Sequence, residues 1–382
     1  MTKRRIFNKI DKPLLIITIL CLIFGVMMVG SASSLKAYMT KSNSYYYFFR
    51  QLLFIGIGFF LSNIITTIPI NKYKKIIYFI LVCVFGALIY VLLNEKVMNG
   101  IKGWMFIMGF GIQPSEFAKT ALILFFALSF EKMIKQKNVS NVAKAVPFIV
   151  ALMFLFLIFE QPDLGTMLII LGIVFICFII APYDKKTKLI LTCFALLSVL
   201  ILSVTMLITG KGLSEKQKNR FNFTKPCTRY RDETGYQVCN GYIAINSGGL
   251  LGTGYGNSKQ KFLYLPEAHT DFIFAIIIEE MGLVSGILMM LAYFIIIWRI
   301  VMIGKKSYNI QGTVICYGIA AYIALHIIIN LGGVLGLIPL TGVPLPFYSY
   351  GGSFMINLLI CLGLVQRVCV ENKLFEQRNL VR

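Results

Sequence analysis

Residues 14–30 read Leu14-Leu15-Ile16-Ile17-Thr18-Ile19-Leu20-Cys21-Leu22-Ile23-Phe24-Gly25-Val26-Met27-Met28-Val29-Gly30, an uncharged run. Its length is close to the roughly 20 residues that a helix needs to cross a bilayer. Similar runs recur to the end of the chain, the last being Gly351–Val370. Ten are readable, at about 13–33, 48–69, 75–94, 113–131, 145–160, 163–182, 188–209, 271–303, 311–337 and 351–370. Each is expected to be a helix, because backbone amides in lipid need partners within their own segment. The expected fold is an all-α polytopic membrane protein, a single domain over residues 1–382. Its connections are short except for residues 211–270, a loop between the seventh and eighth spans.

Composition points the same way. The chain is 58% hydrophobic and only 14% charged, against roughly 25% charged residues in water-soluble proteins. A net charge of +21 raises the question of a nucleic-acid partner. With the N-terminus placed in the cytoplasm, however, Lys3, Arg4, Arg5, Lys72, Lys74, Lys75, Lys132, Lys135, Lys137, Lys185, Lys186, Lys188, Lys305, Lys306, Arg378 and Arg382 all fall inside. That is the positive-inside pattern, so the charge reports topology and contact with anionic lipid, with both termini expected in the cytoplasm. No compact basic face with interleaved aromatics is present, and no nucleic-acid partner is expected.

The first run ends in Gly30-Ser31-Ala32-Ser33, which has the look of a signal-peptidase site. The run exceeds the usual 7–15-residue apolar core of a signal peptide. Its removal would leave nine spans, the wrong parity for the remaining loops, so it is expected to stay. Cys21, Cys83, Cys177, Cys193, Cys316 and Cys361 lie in spans and read as small apolar side chains. Cys227 and Cys239 lie in the long loop, where a bridge and a pair of free thiols are both open readings. With two histidines in the chain, no cysteine–histidine cluster has zinc-site spacing.

Charges at membrane depth need a partner or a task. Gln113-Pro114-Ser115-Glu116 opens the fourth span, with Lys119 three residues on and facing the same side. Two readings are open: a self-neutralising Glu116–Lys119 pair at a capped helix start, or a Lys119 that points into a polar cavity and receives an anion. Gln161-Pro162-Asp163-Leu164-Gly165 reads as a turn whose Asp163 caps the sixth helix. The densest group is Leu265-Pro266-Glu267-Ala268-His269-Thr270-Asp271-Phe272-Ile273-Phe274, with Lys259 and Lys261 upstream. Asp271 reads either as a cap for the eighth helix or as a carboxylate raised toward general-base range by desolvation and neighbouring acidic charge. Glu279, Glu280, His326 and Asn330 need internal partners that the sequence does not name.

The Lys211–Val238 part of the long loop is polar, whereas Gly241–Pro266 is rich in Gly, Ser and Tyr and is expected to fold back against the membrane surface. Its Gly252-Thr253-Gly254-Tyr255-Gly256 is no nucleotide fingerprint, since no strand precedes it and the third glycine is misplaced, and it reads as a tight turn. Two prolines and three glycines keep Thr341–Ser353 from being one continuous helix.

Taken in order, these pieces resemble the SEDS (shape, elongation, division and sporulation) family, which includes FtsW, RodA and a sporulation paralogue. The matching pieces are Arg50-Gln51, Gly100 through Trp104, Gln113-Pro114-Ser115-Glu116 with Lys119, Gln161–Gly165, Ser247–Gly252, Leu265–Ala275 and Pro339–Ser353. The resemblance covers nearly the whole chain. It implies a ten-helix bundle in the bacterial cytoplasmic membrane, with a large extracytoplasmic loop. The implied activity is a peptidoglycan glycosyltransferase that polymerises lipid II into β-1,4 glycan, serving division or cell shape. It implies Asp271 as the catalytic carboxylate and places Arg50, Lys119 and Trp104 near the substrate cavity. Glu116, Glu267, His269 and Lys102 join them as candidate substrate-binding residues. Many members carry a polar or basic residue before the tryptophan, where this chain has Gly103, with Lys102 one place earlier. The wording of Pro266–His269 and Pro344–Phe347 looks more like the division and sporulation members than the elongation one, and the chain as a whole looks most like the division branch.

Attack of a sugar 4-hydroxyl on an anomeric carbon bearing undecaprenyl pyrophosphate needs a base, the role given to Asp271. The leaving group is already anionic and needs cations: Lys119, Lys102, Arg50 or a divalent ion, Mg or Mn. One carboxylate suffices, unlike the paired acids of glycoside hydrolysis. The resemblance also implies a class B penicillin-binding transpeptidase, and other divisome or elongation proteins, as partners. A lipid II flippase and a non-catalytic divisome scaffold are the competing readings. A carrier expects its site near the midplane, whereas these motifs gather at one surface.

Overall fold

The computed structural model describes residues 6–94, 103–107, 109–136, 139–193, 225–229 and 233–380. Its helices are α1 Lys12–Lys41, α2 Tyr46–Thr67, α3 Ile77–Leu93, α4 Pro114–Lys135, α5 Asn141–Glu160, α6 Leu164–Ile180, α7 Glu233–Gly248, α8 Ile273–Lys305, α9 Ile310–Val334 and α10 Gly352–Leu380. Among the described residues, α1, α2, α5, α8, α9 and α10 are long and apolar enough to cross a membrane. The apolar helices α3 and α6 are shorter, and α4 carries Glu116, Lys119 and Glu131. Residues 185–193 are helical, and most of the expected 188–209 span lies outside the described residues.

The helix limits follow local chemistry. Asp11 caps α1 by accepting from Leu14 N at 2.9 Å, and Pro13 occupies the first turn, where no amide partner is lost. At its other end α1 runs past the expected residue 33 to Lys41, and Ser33 and Ser34 satisfy their hydroxyls on Val29 O and Ser31 O of the same helix. The last helix likewise continues beyond residue 370, supported by an Arg367–Glu371 pair at 2.8 Å. α2 and α10 approach closely through small residues: a β-carbon on Gly58 would lie 2.6 Å from Leu359, and one on Gly363 would lie 2.7 Å from Ser62. Lipid offers no hydrophobic drive to associate, so close van der Waals packing of this kind holds spans together.

Two expectations need correction. The all-α reading gains a small antiparallel hairpin, β1 Met105–Ile107 with β2 Phe110–Ile112. The long loop contains helix α7, where a glycine-rich surface segment was expected. Its Gly235, Val238, Gly241, Ala244 and Gly248 are buried at three- and four-residue spacing. Small residues here let α7 lie against α8, with Gly241 on Phe272 and Gly248 on Ile278 and Glu279. Cys227 and Cys239 form a disulfide that ties the short 3-10 turn Pro226–Arg229 to α7.

The connections collect at two ends. At one, Asp11 meets Arg299 and Gln366, Glu131 meets Lys74 and Lys135, and Lys144 meets Asp184. At the other, the hairpin, the α5–α6 turn, the 249–272 loop and the 335–351 segment converge, and the candidate site lies there.

Candidate active site

Asp271 lies one residue before Phe272, the N-cap of α8, and Phe272 makes no side-chain cap bond. Asp271 thus stands just outside the helix, at its entry. Asp271 is half-buried. Its backbone carbonyl accepts from Asn330 Nδ2 at 2.8 Å, and the same amide nitrogen donates to Val343 O at 2.7 Å. One buried side chain on α9 thus joins the segment bearing Asp271 to the irregular stretch before α10. Gly342, at φ 74°, faces the carboxylate: a β-carbon there would lie 3.2 Å from Asp271 Oδ2. Glycine supplies both the left-handed backbone and the space.

The irregular stretch is satisfied group by group, as backbone at membrane depth must be. Ser349 Oγ accepts from Leu345 N at 2.8 Å and donates to Thr270 O. Tyr350 N donates to His269 O at 2.9 Å. Gln51 donates to Ser349 O and accepts from Gly351 N. Helix α10 then begins at Gly352, as the prolines and glycines require.

Glu267 accepts from Lys36 Nζ at 3.0 Å and from Thr270 Oγ1 at 2.8 Å. Burial pushes its carboxyl up, but Lys36, the Thr270 hydroxyl and His269 outweigh that and leave it below the usual range. His269 is buried between the rings of Tyr47 and Tyr350, at centroid distances of 4.9 and 5.7 Å. Burial, with the Lys36 charge, depresses its imidazole to about 4 against a partial opposing pull from Glu267, so it is neutral at neutral pH.

Arg50 is held at the hairpin. Its guanidinium donates to Tyr46 Oη at 2.7 Å and Gly109 O at 3.0 Å and lies 4.6 Å from the Phe110 ring centroid. Trp104 is half-buried just before β1, and its ring covers Gly111. Lys102 lies outside the described residues. Below the surface, Glu116 and Lys119 form a buried pair at 2.7 Å. Lys119 Nζ also lies 3.2 Å from His326 Nε2, whose Nδ1 is 3.1 Å from Pro344 O. Of the two readings of Lys119, the self-neutralised pair is the arrangement seen here. Asp163 caps α6 as read, accepting from Thr166 N at 2.9 Å, and also accepts from Gln113 at 3.0 Å.

Of the upstream lysines, Lys261 pairs with Glu280 at 2.9 Å, and the backbone N–H of Lys259 donates to Glu279. Among the described residues, no three His, Cys, Asp or Glu side chains come together as a metal site. Lys36 was missed in the sequence, although a lysine at the end of the first span opposite the basic N-terminal flank was the available signal.

These features define a multi-pass membrane protein whose polar residues and irregular backbone concentrate at one end of a helix bundle, around a half-buried aspartate. A family model described as "Cell cycle protein", for FtsW, RodA and SpoVE, matches residues 12–374. Stage V sporulation protein E of Bacillus subtilis is 36% identical over 94% of this chain and 96% of its own length. The probable peptidoglycan glycosyltransferase FtsW of the same organism is 34% identical over 98% and 94%. A chain of a peptidoglycan synthase complex, solved for how it coordinates polymerization and crosslinking, superimposes with a TM-score of 0.73 at 24% identity, covering 95% of this chain and 98% of that one. The rod shape determining protein RodA of Thermus thermophilus gives 0.66, also at 24%, over 94% and 96%. The chain belongs to the FtsW/RodA/SpoVE family, the SEDS proteins.

Proposed function

We propose that this protein is a peptidoglycan glycosyltransferase that polymerises lipid II into β-1,4 glycan, with Asp271 as the general base. The observation that carries the reading is the placement of Asp271: half-buried at the mouth of the bundle, fixed through its carbonyl by Asn330, with the space over its carboxylate kept by Gly342. The 4-hydroxyl of one sugar gives its proton to Asp271 as its oxygen bonds to the anomeric carbon of the other. The bond from that carbon to the pyrophosphate oxygen breaks, and the pair leaves with an already anionic group. A single displacement inverts the donor's α linkage to β. Arg50 and Lys102 are the cations for the diphosphate; Lys119 joins them only by leaving Glu116. Trp104, Glu267 and His269 line the approach.

Residues 1–382 form one SEDS-type domain of ten spans in the bacterial cytoplasmic membrane, with both termini in the cytoplasm and 211–270 outside. What supports the crossing at 188–209 is that Asp184 pairs with Lys144 at one end, while Tyr242 bonds Leu335 O at the other. A class B penicillin-binding transpeptidase is the natural partner, by likeness to the chain found in a peptidoglycan synthase complex. The Pro266–His269 wording favours the division and sporulation branches over the elongation one.

The test supplies the purified protein and its transpeptidase partner with fluorescent lipid II. Glycan ladders are expected from the native chain and none from Asp271→Asn. Ladders unchanged by the substitution would remove the base, and lipid crossing vesicles without polymerisation would mark a flippase.

A further inference from the structure

Helix α8 is interrupted at Gly282, which has φ 78°. In an unbroken helix Leu283 N and Val284 N would donate to the carbonyls of Glu279 and Glu280, four residues back. Here they donate to Gly249 O at 2.9 Å and Leu250 O at 3.3 Å. The two carbonyls thus released accept from Thr253 N at 2.9 Å and Gly254 N at 3.0 Å. Residues 249–254 are spliced into the backbone ladder of α8.

The depth of this splice is fixed by a neighbouring helix. Tyr255 Oη donates to Met27 O, and Lys261 Nζ donates to Ser31 Oγ. Met27 is in the apolar run of α1 and Ser31 one residue past it, whereas Lys36, the partner of Glu267, is nine residues beyond Met27. At 1.5 Å per residue, Met27 is about 13 Å below the level of Lys36. The two carboxylates at this depth serve the loop: Glu279 accepts from Lys259 N at 2.9 Å and from Ser258 Oγ, and Glu280 accepts from Ser258 N at 3.3 Å. That answers why two adjacent glutamates are buried in a span. Irregular backbone at membrane depth demands such partners.

The other side of the loop is bare. Leu250 and Leu251 are 68% and 83% exposed, and residues 241–257 contain no charged side chain. The apolar face continues onto Leu283, Val284, Ile287 and Leu288 of α8, all exposed.

We propose that α7 and residues 249–256 form a re-entrant lip that dips into the bilayer, with Leu250 and Leu251 seated among lipid acyl chains. The lip hangs from α8 by the four spliced bonds and from α1 by Tyr255. The segment that leads to Asp271 is therefore anchored in the hydrocarbon rather than resting on the membrane surface.

The test places single tryptophans in the full-length protein in bilayers, after Trp104→Phe and Trp298→Phe remove the native ones. In that background Leu251→Trp is expected to lose its emission to lipids brominated midway along their acyl chains, to emit at shorter wavelength and to ignore aqueous iodide. Tyr38→Trp, near the end of α1, is expected to show the reverse preference. Leu250→Trp gives an independent reading should one variant misfold. Iodide quenching at 250 and 251 would put the lip in water, and shielding from both quenchers would mean that protein covers it. Either result overturns the proposal.

Discussion

Lys261 Nζ lies 2.9 Å from Glu280 Oε1, both side chains are buried, and Ser31 of α1 bonds to each of them. The ion pair thus locks the loop to two spans at once. Removing one partner of a buried pair leaves an uncompensated charge and costs about 3–5 kcal/mol. Lys261→Met is expected to lower thermal stability by that order, and Lys261→Met with Glu280→Gln to regain much of it. Melting of the purified variants checks both.

The Cys227–Cys239 bridge closes a loop with a separation of 12 residues. On the chain-entropy model a loop this short is worth about 3 kcal/mol to the segment that it closes. Reduction, which adds two electrons and two protons, is expected to raise the mass by two hydrogen atoms and to speed amide exchange in the start of α7, with the spans unchanged. Peptide-level exchange mass spectrometry reads both.

His269 gives the site an acid sensitivity. Its folded pKa, about 4, is below the 6.5 of the unfolded chain, so on acidification the unfolded state takes up the proton first. Stability is therefore expected to fall as pH drops from 6.5 toward 4. Glu267, held low chiefly against burial by Lys36, adds its own loss only below its ordinary 4.5. His269→Gln is expected to flatten the slope between pH 6.5 and 5 in melts across that range, and a slope unchanged by the substitution would contradict this assignment.

Asn330 makes no contact with a reacting atom in the proposed mechanism, yet it holds Asp271 O and Val343 O. Asn330→Ala is expected to lower kcat about 100-fold, the scale of a misplacement near 1 Å, with little change in the lipid II concentration for half-maximal rate. Polymerisation kinetics with fluorescent lipid II separate the two constants.

Most of the spans, the turn at Gln161–Gly165, the cap at Asp163, the break before α10 and the Glu116–Lys119 pair were legible in the chain, because hydropathy, proline and short-range spacing act locally. Helix α7 was not, since glycines lower helix propensity and here are used for close packing on α8. The hairpin at 105–112 was missed because each strand has three residues, too few for a periodic signal.

The sequence alone determined that this is a multi-pass membrane protein and where its polar residues cluster, because the cost of placing charge and unpaired backbone in lipid is paid residue by residue. Only the tertiary structure decided which groups meet. Lys36 with Glu267, Lys261 with Glu280 and Asn330 with Asp271 are separated by 231, 19 and 59 positions. Buried polar groups must find partners wherever the packing of helices brings them, and that choice is made in space rather than along the chain.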